Sequence, residues 1–290
     1  MNKNIIVIAL IVILAVAAAL LAYGIITHAA SQKVNAGKEE SVETAGPKSA
    51  EHPVSGESES DYFNSAANYE KRGDLSGARD AYQKIIEKYP GSNNISRAQE
   101  ALEALNIKLL FSSVATPDST LYEVQKGDTL TKIAKKFNTT TELISRANAL
   151  KDANVKVGKR LRISKAKFSI AVDKSQNILT LKSDQEILKT YKVSTGKNAC
   201  TPVGTFKVTN KLIDPPWYPS AGGMIPAGDP KNVLGSRWIG LSKQGYGIHG
   251  TIEPESIGKS VTEGCVRMKN SDVEELYSIV PIGTEVVIVD

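Results

Sequence analysis

Cysteine occurs only twice in 290 residues, tryptophan twice and histidine three times, and aromatic side chains make up 6%. Two cysteines, Cys200 and Cys265, cannot build the disulfide framework of a small secreted scaffold. One histidine in the C-terminal region and two separated cysteines do not make a four-ligand metal site, so no metal and no cofactor are expected. Strong charge of either sign is also missing. Thirty-six basic against 31 acidic residues leave +5, without the clustered basic stripe of a nucleic-acid binder. That mild surplus suits a polyanionic surface such as a cell wall or a membrane. At 41% hydrophobic and 23% charged, the chain is neither collagen-like, wholly disordered nor a polytopic membrane protein.

Long apolar runs are absent with one exception. Ile5–Ile26 carries no charge over 22 residues, long enough to cross a bilayer core of ~30 Å. Cleavable signal peptides have a shorter apolar core, ~7–15 residues. Thr27-His28-Ala29 offers a small-residue cleavage site, but the length favours an uncleaved transmembrane anchor over residues 1–30. Lys3 precedes the run and Lys33 and Lys38 follow it, a thin basis for orientation. The domains that follow place the bulk of the chain outside the cytoplasm, on a single-pass cell-membrane anchor. Residues 31–60, rich in Ser, Glu, Gly and Pro, cannot bury enough to order themselves and read as a tether with a reach of about 30 Å.

Between residues 61 and 112 the periodicity is helical, broken at Gly73-Asp74 and Pro90-Gly91. Tyr62, Ala66, Tyr69, Gly73, Ala78, Tyr82 and Pro90 resemble the signature positions of a tetratricopeptide repeat. One repeat is fewer than such arrays need. Either a helical spacer that packs on itself or a neighbour, or a groove for a protein partner, is implied. Residues 120–164 read as strand–helix–helix–strand, with Leu130, Ile133, Ala134 and Phe137 forming one apolar stripe. Val124, Gly127-Asp128-Thr129-Leu130, Ile133-Ala134, Asn148 and Val157-Gly158 through Ile163 resemble a LysM domain. The resemblance implies binding of N-acetylglucosamine-containing glycans, with Gly127, Asp128, Thr129 and Asn154 in the contact loops.

Residues 167–290 are predominantly β. Short β-branched runs recur at Phe168–Val172, Ile178–Leu181, Thr190–Val193, Thr205–Val208 and Glu285–Val289, and one helix follows a capping box at Ser271-x-x-Glu274. His28 and His52 lie near the anchor and in the tether, so His249 is the region's only imidazole base. Cys265 follows it by 16 residues, behind Gly264. A cysteine with a nearby imidazole is the minimal activated thiol, because free Cys is only a few per cent thiolate at pH 7; a buried structural cysteine is the alternative.

Gly247-Ile248-His249-Gly250-Thr251 and Gly264-Cys265-Val266-Arg267-Met268, with Thr201-Pro202-Val203-Gly204-Thr205-Phe206 upstream, resemble the YkuD-type L,D-transpeptidases. The resemblance implies a mostly-β catalytic domain and Cys265 as nucleophile with His249 as its base. The Gly250 carbonyl would orient the imidazole, and the amides around Gly264 and Cys265 would form an oxyanion hole. Arg267 would bind a substrate carboxylate or fix the Cys turn, and Tyr246, Arg237 and Trp238 would line the cleft. Substrates would be peptidoglycan stem peptides, cross-linked between third residues through a thioester. Hydrolysis of the same acyl-enzyme, as an L,D-carboxypeptidase, and a non-catalytic wall-binding scaffold are the rivals. Cys200 is expected as a free thiol filling a loop. Glu263 departs from the family: a carboxylate facing the thiol would oppose ionisation, so a role toward the acceptor amine is expected instead. The whole is a multidomain α+β chain.

Overall fold

The computed structural model describes residues 57–219 and 222–290. The expected anchor and nearly all of the tether lie outside the described residues. Among the described residues no helix is long and apolar enough to cross a membrane.

Helix α1 (Glu59–Lys71) starts inside the stretch read as tether, because Ser58 and Asp61 close a capping box. The Asp74 carboxylate accepts from Gly77 N–H at 2.9 Å and caps α2 (Leu75–Lys88), and α3 (Ile95–Leu110) completes the trio. Ala66, Ala78 and Ala98, each fully buried, let the three helices approach closely, and Tyr62, Ile85 and Leu102 fill the remaining space. Strands β1 (Ser119–Glu123) and β2 (Arg160–Ser164) pair antiparallel and flank α4 (Leu130–Lys136) and α5 (Thr141–Ala147). Thr129 and Thr140 cap these two helices, and Ile133, Ile144, Leu161 and Ile163 form their core.

The remaining residues build an eight-stranded sheet in the order β11-β9-β8-β7-β12-β3-β4-β5. Its strands are β3 (Phe168–Asp173), β4 (Ile178–Ser183), β5 (Glu186–Lys192), β7 (Gly204–Ile213), β8 (Arg237–Leu241), β9 (Gly247–His249), β11 (Val266–Arg267) and β12 (Glu285–Val289). A two-stranded pair, β6 (Thr195–Gly196) with β10 (Ser260–Thr262), lies beside it in sequence. Helix α6 (Asn270–Ile279) packs Val273, Leu276 and Ile279 into the core of this sheet. The capping box expected at Ser271 does not form. The helix opens two residues earlier, with Lys269 at the cap position; Ser271 Oγ turns to Asp272, and Asn270 faces the site described below.

These segments are not independent beads. Ile107 and Leu110 of α3 and Leu143 of α5 belong to the same buried cluster as Ile170, Leu181 and Leu276. Arg162 on β2 is buried; its Nη1 donates to the carbonyls of Leu110 and Ser112, each at 3.0 Å, and its Nη2 to Thr116 Oγ1 at 3.0 Å. The Asn106 amide donates to Leu188 O at 3.2 Å, so α3 covers the edge strand β5, which would otherwise offer open backbone groups. Thr140 Oγ1 donates to the Ser278 carbonyl of α6. The helical segment therefore packs on itself and on its neighbour, and residues Ser55–Asp290 make one compact unit.

Candidate active site

Strands β9 and β11 run parallel, with Val266 beside Ile248 and Arg267 beside His249. Cys265, one residue ahead of β11, thus comes to lie along Gly247, two positions from His249 on the neighbouring strand. The turn that delivers it is held by Thr262. That hydroxyl accepts from Gly264 N–H at 3.2 Å and donates to Cys265 O at 2.7 Å. Gly264 sits at φ +123, and a Cβ there would meet the Tyr246 ring at 2.8 Å, so the turn requires glycine. The amide of Gly264, expected to face a substrate oxyanion, is instead engaged by Thr262.

His249 is buried, with its ring stacked 6.1 Å from that of Trp238, its cross-strand neighbour. Its Nδ1 lies 2.7 Å from Gly250 O. A carbonyl can only accept, so Nδ1 carries the proton and Nε2 keeps its lone pair. Burial pulls the imidazole down to about 4, opposed by the Gly250 and Leu234 carbonyls and assisted by the Arg267 charge; the ring is neutral at pH 7. The Cys265 thiol donates toward Gly245 O at 3.6 Å. Burial raises its pKa, the Gly247 amide opposes this, and Cys200 and Glu263 add to it. The resting pair is therefore thiol and neutral imidazole, not thiolate and imidazolium.

A cleft of about 310 Å³ opens beside the thiol, walled by Leu212, Pro215, Pro216, Trp217, Tyr218, Leu234 and Trp238. Of the residues expected there, Trp238 lines it and Tyr246 supports the Cys turn from beneath. Arg237 does not line it. On β8 its side chain alternates away from Trp238, donates to Ser236 O, lies 3.9 Å from Asp214 and 4.0 Å from Glu274, and sits over the Tyr277 ring. Arg267 is buried and spends Nη1 on Glu253 Oε2 at 2.7 Å and Ser256 Oγ at 2.9 Å. That arrangement ties β11 to the Glu253–Ser256 turn, while its Nε is buried without a hydrogen-bond partner. Glu263 is exposed.

Cys200 and Cys265 are both free thiols. Cys200 closes a loop in which Asn198 and Ala199 hold φ +52 and +56. Lys174 pins that loop through Thr201 O at 3.0 Å and Ala199 O at 3.3 Å while pairing with Asp290 at 2.7 Å.

Sequence reasoning missed Thr262, Asn270, Gly245 and the Trp217–Tyr218 wall. Asn270 Oδ1 accepts from Ser236 N–H at 3.1 Å and Thr251 N–H at 3.0 Å, tying the segment after His249 to the start of α6. A Cβ on Gly250 would meet that same oxygen at 2.1 Å, which accounts for glycine there. An asparagine at a helix start is a legible cap signal; its use across three segments is not.

Beside the β1–α4–α5–β2 unit, Thr129 and Asn154 line a groove of about 640 Å³ together with Leu130, Ser145, Arg146, Ala153 and Ser278. Gly127 makes the turn at φ +86. Asp128 is committed to that turn: Gln125 N–H at 2.8 Å, then Tyr122 OH at 2.7 Å, hold its carboxyl below the usual range. It is a brace for the loop rather than a groove residue.

Two family models match: the L,D-transpeptidase catalytic domain over residues 167–288 and the LysM domain over residues 122–164. YkuD of Bacillus subtilis (strain 168), named among the L,D-transpeptidases, is 40% identical over 174 residues, which is 58% of this chain and 97% of that protein. YqjB of the same organism, likewise named, is 42% identical over 127 residues, 42% of this chain and 70% of its own. Among solved structures, an L,D-transpeptidase from Mycobacterium smegmatis is 19% identical, with a TM-score of 0.38 over 47% of this chain and 65% of that one. With YkuD matched at 40% identity over 97% of its length, this chain belongs to the YkuD-type L,D-transpeptidase family.

Proposed function

We propose that the protein is a peptidoglycan L,D-transpeptidase that works through a thioester on Cys265. The observation that carries this is the buried neutral His249, its Nδ1 proton committed to Gly250 O, beside a cysteine at the mouth of an apolar cleft. With donor bound, the S–H swings from Gly245 O to Nε2, and the imidazole takes the proton as sulfur attacks the carbonyl of the third stem residue. The carbonyls of Gly250 and Leu234 favour the imidazolium that forms. That proton then passes to the departing amine of the terminal D-alanine, leaving the thioester. The side-chain amine of a second stem attacks in turn, its proton returns through His249, and the thiol is regenerated with a cross-link between third residues. Thr262 and the Arg267–Glu253 pair hold the Cys turn throughout.

Prolines, tryptophans and leucine on the cleft walls leave few partners for an ordered water, which favours an amine over hydrolysis of the thioester. The N-terminal segment serves as a membrane anchor, with the catalytic unit outside the cytoplasm. The test is intact-mass analysis after incubation with a tetrapeptide stem. An adduct on Cys265, short by one D-alanine, supports the reading; no adduct on a folded protein overturns it. Adding an acceptor stem separates cross-linked product from hydrolysed tripeptide.

A further inference from the structure

The acid–base step asks an imidazolium to form where the fold already keeps a cation. Arg267 on β11 stands directly beside His249 on β9 in the parallel register, and paired strands lie about 4.8 Å apart. Arg267 is 9% exposed and His249 3%, so little water screens the guanidinium from the ring. That charge already opposes protonation of the imidazole. The other charged groups of the surrounding elements are engaged elsewhere or lie at the surface. β8 presents Trp238 to the ring, while Arg237 lies with Asp214 and Glu274. α6 meets the segment after His249 through Asn270; its Glu275 takes Lys189 and Tyr191, and its Asp272 takes Ser271. The Cys turn brings the Cys265 thiol and, at the surface, Glu263 and Lys269.

Glu253 is the carboxylate partner of the guanidinium, with Oε2 at 2.7 Å from Arg267 Nη1. The loop leaving His249 places it there. Thr251 N–H donates to Asn270 Oδ1 at 3.0 Å, and Glu253 N–H to Thr251 Oγ1 at 2.9 Å. Ser256 Oγ closes the turn by donating to Glu253 O at 2.6 Å while accepting from Nη1 at 2.9 Å. Arg267 Nε is buried with no hydrogen-bond partner, which leaves the guanidinium dependent on the contacts it has. The walls of the cleft do not include Glu253, so its influence reaches the reaction through Arg267 and His249. We infer that Glu253 is a positioning residue of the acylation step: by holding and offsetting the Arg267 guanidinium, its carboxylate lets an imidazolium form on His249 as Cys265 gives up its proton. Removing one member of a partly buried pair leaves the other uncompensated. Here the charge left over is a cation beside a developing cation. This rests on the acyl-enzyme reading above.

The experiment compares the full chain with Glu253→Gln, which keeps an oxygen for Nη1 and loses only the charge. Two quantities are read. One is the rate of adduct formation on Cys265 from a tetrapeptide stem, by intact mass. The other is the titration midpoint of His249, followed by NMR in a chain with three histidines. Glu253→Gln should slow the adduct about three- to tenfold at pH 7 and lower the midpoint by about half a unit to one unit, with Tm nearly unchanged. Glu253→Asp should recover part of both. In an Arg267→Met background, Glu253→Gln should change neither. Where that background does not fold, Glu253→Lys takes its place and should exceed the glutamine effect. An unchanged rate and midpoint in Glu253→Gln overturn the inference. So does a midpoint that rises toward the ordinary 6.5, the mark of water entering a loosened site, and so does an equal effect without Arg267. No adduct on the unaltered protein overturns the acyl-enzyme reading instead, while the His249 midpoint still tests the pair.

Discussion

A buried imidazole with its Nδ1 proton spent on a carbonyl has two separable consequences. As a base, His249 works while neutral, so acylation should fall on the acid side near pH 4 rather than near the ordinary 6.5. A pH profile of adduct formation reads this directly, and a limb near 6.5 would mean the ring is hydrated during turnover. As a stability group, the same ring is protonated in the unfolded chain below 6.5 but resists protonation in the fold until about 4. Stability should therefore decline as pH drops through that window, by up to about 3 kcal/mol from this residue. His249→Gln should flatten the decline in denaturant titrations. His249→Ala should slow acylation by roughly 10²–10⁴-fold, and Cys265→Ala should abolish the adduct. Thr262 supplies a subtler case. Thr262→Val keeps the volume but frees the Gly264 amide and the Cys265 carbonyl, so stability should drop by about 1–2 kcal/mol and acylation should slow with it. Thr262→Ser should restore both.

Among the elements, the loop at Lys197–Cys200 holds two consecutive non-glycine residues in the left-handed region. Ala199 has no side-chain hydrogen bond to recommend it there, so Ala199→Gly should stabilise the protein by roughly 0.5 kcal/mol, seen as a small rise in Tm. The elements also show how far the sequence speaks for itself. Strands β3, β4 and β12 follow from alternating β-branched runs, and α4 and α5 from apolar spacing with a threonine cap. Those are local signals, complete within a few residues. Strands β9 and β11 are only three and two residues long and carry no periodicity of their own. They exist because a parallel ladder joins Ile248 to Val266 across the intervening loops. The site divides the same way. Cys265 and His249 were legible as residue types at a given spacing, and the Gly250 carbonyl only through the family resemblance. The displacement of Arg237 to the far face, the capture of the Gly264 amide by Thr262 and the three-way reach of Asn270 depend on register and chain crossing, which spacing does not encode. Ser271 misled because a capping-box pattern was present while tertiary contacts to Asn270 set the helix start two residues earlier.

For the molecule as a whole, shared burial outweighs the modular look of the sequence. Deleting residues 121–163 removes Leu143 from the catalytic core and Arg162 from the carbonyls of Leu110 and Ser112. The remainder should show a lower Tm and weaker retention on sacculi, and its attack on a small peptide should suffer too. Leu143→Ala alone should cost about 2–5 kcal/mol, with residues 57–290 still unfolding in one transition by calorimetry. One strand carries this unity into the order of synthesis. β12 is the last strand along the described chain, yet it sits between β3, which it joins in parallel, and β7, which it joins antiparallel. The β3–β5 half and the half bearing His249 and Cys265 have no common ladder until residues 285–289 emerge. A chain interrupted between α6 and these residues holds Cys265, His249 and the β1–α4–α5–β2 unit, but its two sheet halves share no ladder. A nascent or truncated polypeptide should thus be inert toward the wall, and the last strand to be made acts as the permit for the first reaction.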